Sequence, residues 1–365
     1  MYSSDYSGIF ELAAGGIEME YRVLGNTGVR VSVQCLGAMM FGSWGNTDHD
    51  DCVRIIHKAL DSGINFVDTA DIYGWGESEE IVAKALKDRR DDVVLATKVH
   101  GPMGKGENQK GNSRLWIMQE VENSLRRLGT DHIDLYQIHR PEPGVTALEE
   151  TLGALDTLVQ QGKIRYAGCS TFPAWQIVES QWVSERRGLT RFVCEQPPYS
   201  IFTRHIETDV LPVAQQFGMG VIVWSPLSGG WLAGKYRRDH DIPSDSRATR
   251  AKNYGGRIAD RFDLTRTANQ RKLDLVEDLV VVAEKASMPL AHMALSFAVA
   301  HPAVTSAIIG PRTMEQLDDL LSAADLRLDD EVLDAIDEVV EPGTFIEPAD
   351  TGWDPPWMEP TARRR

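Results

Sequence analysis

Short apolar runs and longer amphipathic stretches alternate along most of the chain. The runs are Cys35–Met39, Asn65–Ala70, Val93–Val99, Ile133–His139, Ile164–Ser170, Phe192–Gln196, Gly220–Pro226 and Val304–Gly310. Each is too short for a helix of ordinary length, and each reads as a buried strand. Between them, Asp48–Ser62, Ser113–Leu128, Thr146–Gln161 and Ile206–Phe217 carry apolar residues at three- and four-residue spacing, the period of a helix with one face turned inward. Ahead of them, Tyr21 to Val33 holds Gly25-Asn26 and Gly28 as turn residues and predicts an opening β-hairpin. Eight buried strands, each followed by a helix, is the count of a closed (β/α)8 or TIM barrel, an α/β fold. An open doubly wound sheet announces itself with a Gly-rich turn after an early strand, and no GxGxxG follows the first strands here.

Two regions break the rhythm. Leu227 to Ala303 is far longer than one loop and one helix require, and Arg237 to Arg261 within it is polar and weakly periodic, which predicts a long loop after strand 7. From Gly343 onward, Pro348, Pro355, Pro356 and Pro360 stand beside Trp353 and Trp357, a composition that predicts an extended, non-helical tail. The organisation expected is therefore a leader or disordered segment over 1–18, a barrel over 19–342 and a Pro/Trp-containing tail over 343–365.

Composition narrows the functional classes. The formal charge is −16, from 38 Lys+Arg against 54 Asp+Glu, and the only basic run is Arg363-Arg364-Arg365, so nucleic acid is not expected as a partner. No apolar stretch approaches the roughly 20 residues of a membrane span, and the N-terminus lacks a basic region followed by a long apolar run, so a cytoplasmic location and no membrane partner are expected. Cys35, Cys52, Cys169 and Cys194 form no CxxC pair and read as reduced, buried small hydrophobes.

Barrel enzymes carry their chemistry at the C-terminal ends of strands. Those ends read Asp68-Thr69-Ala70-Asp71-Ile72-Tyr73-Gly74 for the second run, Ala96-Thr97-Lys98 for the third, and Gln137-Ile138-His139-Arg140-Pro141 for the fourth. An Asp, a Tyr, a Lys and a His thus point toward one mouth. A buried Lys beside a buried Asp stays protonated, because the pair offsets the desolvation of each. A cation beside a tyrosine makes the phenol a usable proton donor near neutrality, and a His can hydrogen-bond and orient a substrate oxygen. The set holds no strong nucleophile and no grouping with metal-ligand character, so no metal is expected.

The strings Asp68-Thr69-Ala70-x-x-Tyr73-Gly74, Thr97-Lys98 and Tyr136-Gln137-Ile138-His139-Arg140-Pro141 together resemble the aldo-keto reductase superfamily. The spacing agrees: Tyr73 follows Asp68 by 5 residues, Lys98 follows it by 30, and His139 follows Lys98 by 41. Tyr-Gln-x-His-Arg and Trp224-Ser225-Pro226-Leu227 are closest to the branch of bacterial sugar-type reductases and potassium-channel β subunits. The resemblance covers roughly Tyr21 to Val340. It implies that Tyr73 is the general acid, that Lys98 lowers its pKa, that Asp68 pairs with Lys98, and that His139 orients the carbonyl.

The resemblance also implies NADPH or NADP+ bound without a Rossmann fold. Gly37, Ala38, Met39, Asp68 and Thr171 would be among the cofactor contacts, with Ser170 and Gln196 holding the nicotinamide's carboxamide and Trp224 stacked on its ring. Ser225, Pro226, Leu227, Gly229, Gly230 and Lys235 would follow the pyrophosphate, and Arg247 would close over it. Gly310, Arg312, Gln316 and Asp319 would hold the adenosine end, with Arg312 gripping a 2′-phosphate. This chain departs from the family pattern at Thr171, where Asn or Arg is usual, at Leu320, where Asn is common, and at Ala38, where Thr often follows Gly37.

Trp44, with Tyr73 and His139, is a candidate for the substrate wall, and the Gly101 to Gly111 loop could gate it or be a plain connection. Trp175 and Trp182, seven residues apart, read as core. Three activities suit these residues. One is NADPH-dependent reduction of an aldehyde or ketone, possibly a keto-sugar. The alternative is a cofactor-binding regulatory subunit of channel-β type with little turnover. A barrel lyase using Lys98 as a Schiff base is disfavoured by the Asp68 partner, which keeps the amine charged. The identity of the small-molecule carbonyl and the oligomeric state are left open by these residues.

Overall fold

A computed structural model describes residues 18–244, 246–253 and 255–364; the leader expectation over 1–18 lies, apart from Glu18, outside the described residues. A hairpin of β1 (Tyr21–Val23) and β2 (Arg30–Ser32) pairs antiparallel with Tyr21 opposite Ser32, and the turn closes with Leu24 N–H donating to the Val29 carbonyl. Eight parallel strands follow: β3 (Gln34–Gly37), β4 (Phe66–Asp68), β5 (Val94–Val99), β6 (Ile133–Ile138), β7 (Ile164–Ser170), β8 (Phe192–Gln196), β9 (Gly220–Val223) and β10 (Ser306–Ile309). They pair in sequence order, and β10 closes on β3, so the chain folds as the expected (β/α)8 barrel.

Strand alternation builds the interior in layers. On one face of their strands, Cys35, Phe66, Ala96, Leu135, Cys194 and Ile222 meet inside the barrel, and Leu24 and Val31 of the hairpin join this cluster as a floor. Two residues further along β4, β5, β6 and β8 stand Asp68, Lys98, Gln137 and Gln196, all buried. The same alternation turns Val67, Tyr136 and Val223 outward, into the layer shared with the helices.

Those helices are α1 (His49–Asp61), α2 (Glu77–Leu86), α3 (Arg114–Leu128), α4 (Leu148–Gln160), α5 (Ala174–Arg187) and α6 (Val210–Gln216). Side chains cap the starts of three of them: Asp48 accepts from the Asp51 N–H, Ser113 from the Trp116 N–H and Asp209 from the Val210 N–H. The long connection after β9 is less irregular than its composition predicts. It holds α7 (Arg247–Ala251), α8 (Gly256–Asp260), α9 (Thr267–Lys285) and α10 (Leu290–Ala300). α11 (Met314–Leu321) and α12 (Asp330–Val339) complete the shell.

The tail also differs from expectation. It contains single helical turns at Pro348–Thr351 and Pro356–Met358 and the one-turn α13 (Pro360–Arg363). Proline opens each of them, where its missing N–H has no intrahelical partner to lose. Trp175 and Trp182 correct a second expectation. They share a face of α5, but that face looks outward, leaving them 50% and 54% exposed. Trp175 meets the tail, with its ring 5.8 Å from that of Trp357. All four cysteines are buried and unpaired, as expected.

Candidate active site

The loop after β4 is folded so that its tyrosine returns over β5. Asp71 N–H donates to the Lys98 carbonyl at 3.2 Å and Tyr73 N–H to the Ala70 carbonyl at 3.2 Å. Tyr73 then opens a tight turn in which Gly74, Trp75 and Gly76 all have left-handed backbone, with φ of 58°, 53° and 98°. Glycine adopts that region freely, whereas Trp75 sits in it at some cost, which the flanking glycines and the start of α2 at Glu77 impose.

The outcome is a hydrogen-bonded unit at the barrel mouth. Lys98 Nζ donates to Asp68 Oδ2 at 2.6 Å, to the Thr69 carbonyl at 2.8 Å and to the Tyr73 hydroxyl oxygen at 3.3 Å. Asp68 Oδ1 accepts from Gln196 Nε2 at 2.9 Å and from Gln137 Nε2 at 3.3 Å. Burial works against the Lys98 charge, but Asp68 and then Tyr73 outweigh it and hold the ammonium above the usual lysine pKa. All three of its protons are therefore committed to oxygen, and one of those oxygens is the phenol's. His139, at the end of β6, stands edge-on to the Tyr73 ring at 5.7 Å. Burial, with Arg140 and Lys98 adding to it, pushes the His139 pKa well below the ordinary value, so the imidazole is neutral at pH 7.

This unit opens on a cleft of about 520 Å³. Most of the residues singled out in the sequence line it: Gly37, Met39, Trp44, Asp68, Tyr73, His139, Gln196, Trp224, Ser225, Pro226, Leu227, Gly229, Gly230, Lys235, Arg247, Gly310, Arg312, Gln316 and Asp319. Four stand apart from the wall. Lys98 is wholly buried behind Tyr73, and Ala38 and Ser170 are buried in the barrel rim. Ser170 Oγ donates to the Gln196 carbonyl at 2.8 Å, and Thr171 N–H donates to the same oxygen at 3.2 Å with its own φ at 61°. The Gly101 to Gly111 loop contributes no lining residue.

Sequence reasoning missed several residues of the wall. Trp75, 64% exposed and not itself a lining residue, meets Trp44 of the wall edge to face at 5.8 Å; its Gly neighbours were the available signal. Arg140 lines the cleft and lies 6.0 Å from the Trp224 ring. Arg250, Arg257, Ile258 and Arg261 come from the long connection, and Ala349 and Gly352 come from the tail. No local pattern in either region marks them.

The profile of the Aldo/keto reductase family matches residues 35–341. The chain belongs to this family. A Bacillus subtilis relative described as an uncharacterized oxidoreductase, YrpG, is 41% identical over 332 residues, covering 88% of this chain and 96% of the relative. A rice protein described as a probable voltage-gated potassium channel subunit beta is 36% identical, covering 88% and 97%. The B. subtilis aldo-keto reductase YhdN is 33% identical, covering 94% and 99%. As an aldo-keto reductase, the chain is an oxidoreductase with carbonyl chemistry as its general reaction. Among the described residues, no group of His, Cys, Asp and Glu could hold a metal ion, and no helix is long and apolar enough to cross a membrane.

Proposed function

We propose that the protein reduces aldehydes or ketones to alcohols with NADPH, Tyr73 acting as the general acid. The observation that carries this reading is the Lys98–Tyr73 contact inside a cleft walled by cations. Lys98 spends a proton on the phenol oxygen, which leaves the phenol's own proton free to point at a substrate and stabilises the anion that remains once it is given up. Neutral His139 stands beside Tyr73 and supplies a second polar contact to hold the carbonyl oxygen in place. Trp44 and Trp75 give the substrate an aromatic wall.

The residues present suit a nicotinamide dinucleotide. Burial, and after it the neighbouring Arg261 and Arg250, pushes the Arg247 pKa down to about 10, so this cation is held in a crowded, poorly solvated place. A polyanion relieves that crowding. In the same stretch, Trp224 Nε1 and Ser228 Oγ are buried polar atoms with no partner, and Gly229 and Gly230 have φ of 71° and 104°, which leaves the backbone bare of side chains for close approach. When bound, the nicotinamide supplies a hydride to the carbonyl carbon. Arg312 at the start of α11 supports the choice of NADPH over NADH.

Assay of a panel of aldehydes, ketones and keto-sugars by loss of NADPH absorbance tests the reading. Turnover of at least one member above the rate of cofactor oxidation alone supports it, and none across the panel rejects it. The name of the rice relative favours a second reading, a cofactor-binding regulatory subunit. That reading predicts tight cofactor binding with scarcely any turnover in the same assay. A cytoplasmic site of action and a small-molecule carbonyl as the chief partner complete the proposal.

A further inference from the structure

The tail segment Glu347–Asp354 touches the cofactor side of the cleft rather than hanging from the barrel. Glu347 is fully buried and grips Arg266 at 2.9 and 3.0 Å. Asp350 is buried between two cations: Lys272 Nζ at 2.5 Å, itself wholly buried on α9, and Arg261 Nε at 2.8 Å. Arg261 in turn reaches Ser225 Oγ at 3.3 Å. Arg257 donates to the Pro348 carbonyl at 2.5 Å and to Thr351 Oγ1 at 2.7 Å, and Arg140 donates to the Gly352 carbonyl at 3.0 Å. Gly352 has φ of 72°, and a Cβ there would lie 2.8 Å from the Trp224 ring.

We infer that Glu347–Asp354 is a strap that fastens α8 and Trp224 across the groove, with Asp350 and Gly352 as positioning residues that slow cofactor release. The inference rests on the cofactor reading above. Two features argue for it. The arginines that the tail holds, Arg257 and Arg261, themselves line the cleft, so loosening the tail frees the wall of the groove. The contact with Trp224 is made by the one residue type that fits, with no side chain and a left-handed backbone. A tail that served only as a cover for the barrel would not need Asp350 to reach a residue bonded to Ser225.

Stopped-flow release of NADPH from the full-length protein, followed by nicotinamide fluorescence, tests the strap. Gly352→Val drives a Cβ into the Trp224 ring and leaves every charge in place. Asp350→Asn breaks the ion pairs, and Asp350→Glu restores the charge. Release is expected to speed up at least tenfold in the first two, with circular dichroism unchanged, and to slow again toward the original rate in the third. Hydrogen exchange in the unaltered protein gives a second measure, with amides of 346–352 expected to exchange more slowly once NADPH is bound. Unchanged release in folded Gly352→Val, or identical exchange with and without NADPH, overturns the strap while the cofactor reading stands. No fluorescence change on adding NADPH to the unaltered protein overturns both.

Discussion

At the residue scale, the decisive fact is that one ammonium is shared between a carboxylate and a phenol in a site without water-like dielectric. Tyr73→Phe is expected to cut the rate of carbonyl reduction by about 10²–10⁴-fold, the usual size of a general-acid contribution, with little change in cofactor affinity. Steady-state kinetics with an active aldehyde checks this; near-normal turnover would mean that the proton comes from elsewhere. Lys98→Met removes the same assistance and leaves Asp68 with only the Gln137 and Gln196 amides, an uncompensated buried charge worth about 3–5 kcal/mol of stability. The double variant should be scarcely slower than either single one, because the two groups act together. One residue away from the site, Glu195 is buried and pointed into the helix layer, and burial raises its pKa to about 7. Its folded pKa lies above the unfolded value, so the native state holds the proton more tightly and stability falls as pH rises from about 4.5 to about 7. Glu195→Gln should therefore raise the melting temperature more at pH 8 than at pH 5; an equal gain at both would show that the carboxyl is not protonated in the folded protein.

At the element scale, strand alternation and helix starts sort the chemistry. In four barrel strands a polar residue stands one layer above an apolar residue on the same inward face: Asp68 above Phe66, Lys98 above Ala96, Gln137 above Leu135 and Gln196 above Cys194. The polar ends of the apolar runs made these positions legible in the sequence, and the runs themselves marked all eight strands. The proposed preference for NADPH rests on the junction of β10 with α11. Thr313 caps α11 by accepting the Gln316 N–H, which leaves Arg312 just outside the helix start and facing the cleft. Arg312→Ala is expected to reduce NADPH affinity by about one to two decades and NADH affinity little, since a charged, bidentate contact is worth roughly 1.5–3 kcal/mol. Fluorescence titration of both cofactors decides it, and equal dissociation constants for NADPH and NADH in the unaltered protein would refute the preference.

At the scale of the whole molecule, the barrel has one end for stability and one for chemistry. The hairpin seals the first end, with Leu24 and Val31 wholly buried against the interior residues of the strands. Leu24→Ala should cost about 2–5 kcal/mol, read as a lower urea midpoint, while cofactor affinity in the folded protein stays within twofold. A large loss of affinity at unchanged stability would show that floor and mouth are coupled. The opposite end is closed by chain from three distant places, the β4 loop, the connection after β9 and the tail.

Local regularities were enough to reveal the barrel and the core of the site in the sequence. Polar strand ends put Asp68, Lys98 and His139 at one mouth, the spacing of five puts Tyr73 in the loop after Asp68, and the family resemblance joined the four. What the sequence could not supply was the direction in which amphipathic surfaces turn and the pairing of charges far apart in the chain. Trp175 and Trp182 share a helical face in any structure, but only the packing of α5 turned that face outward and gave it Trp357 as a neighbour. Asp350 meets Lys272 across 78 residues and Arg261 across 89, and neither pairing leaves a periodic trace. Burial makes such pairs specific, because a lone charge in that position would carry the full cost of desolvation. Burial is a property of the folded chain, so the tail's place over the cleft was decided only there.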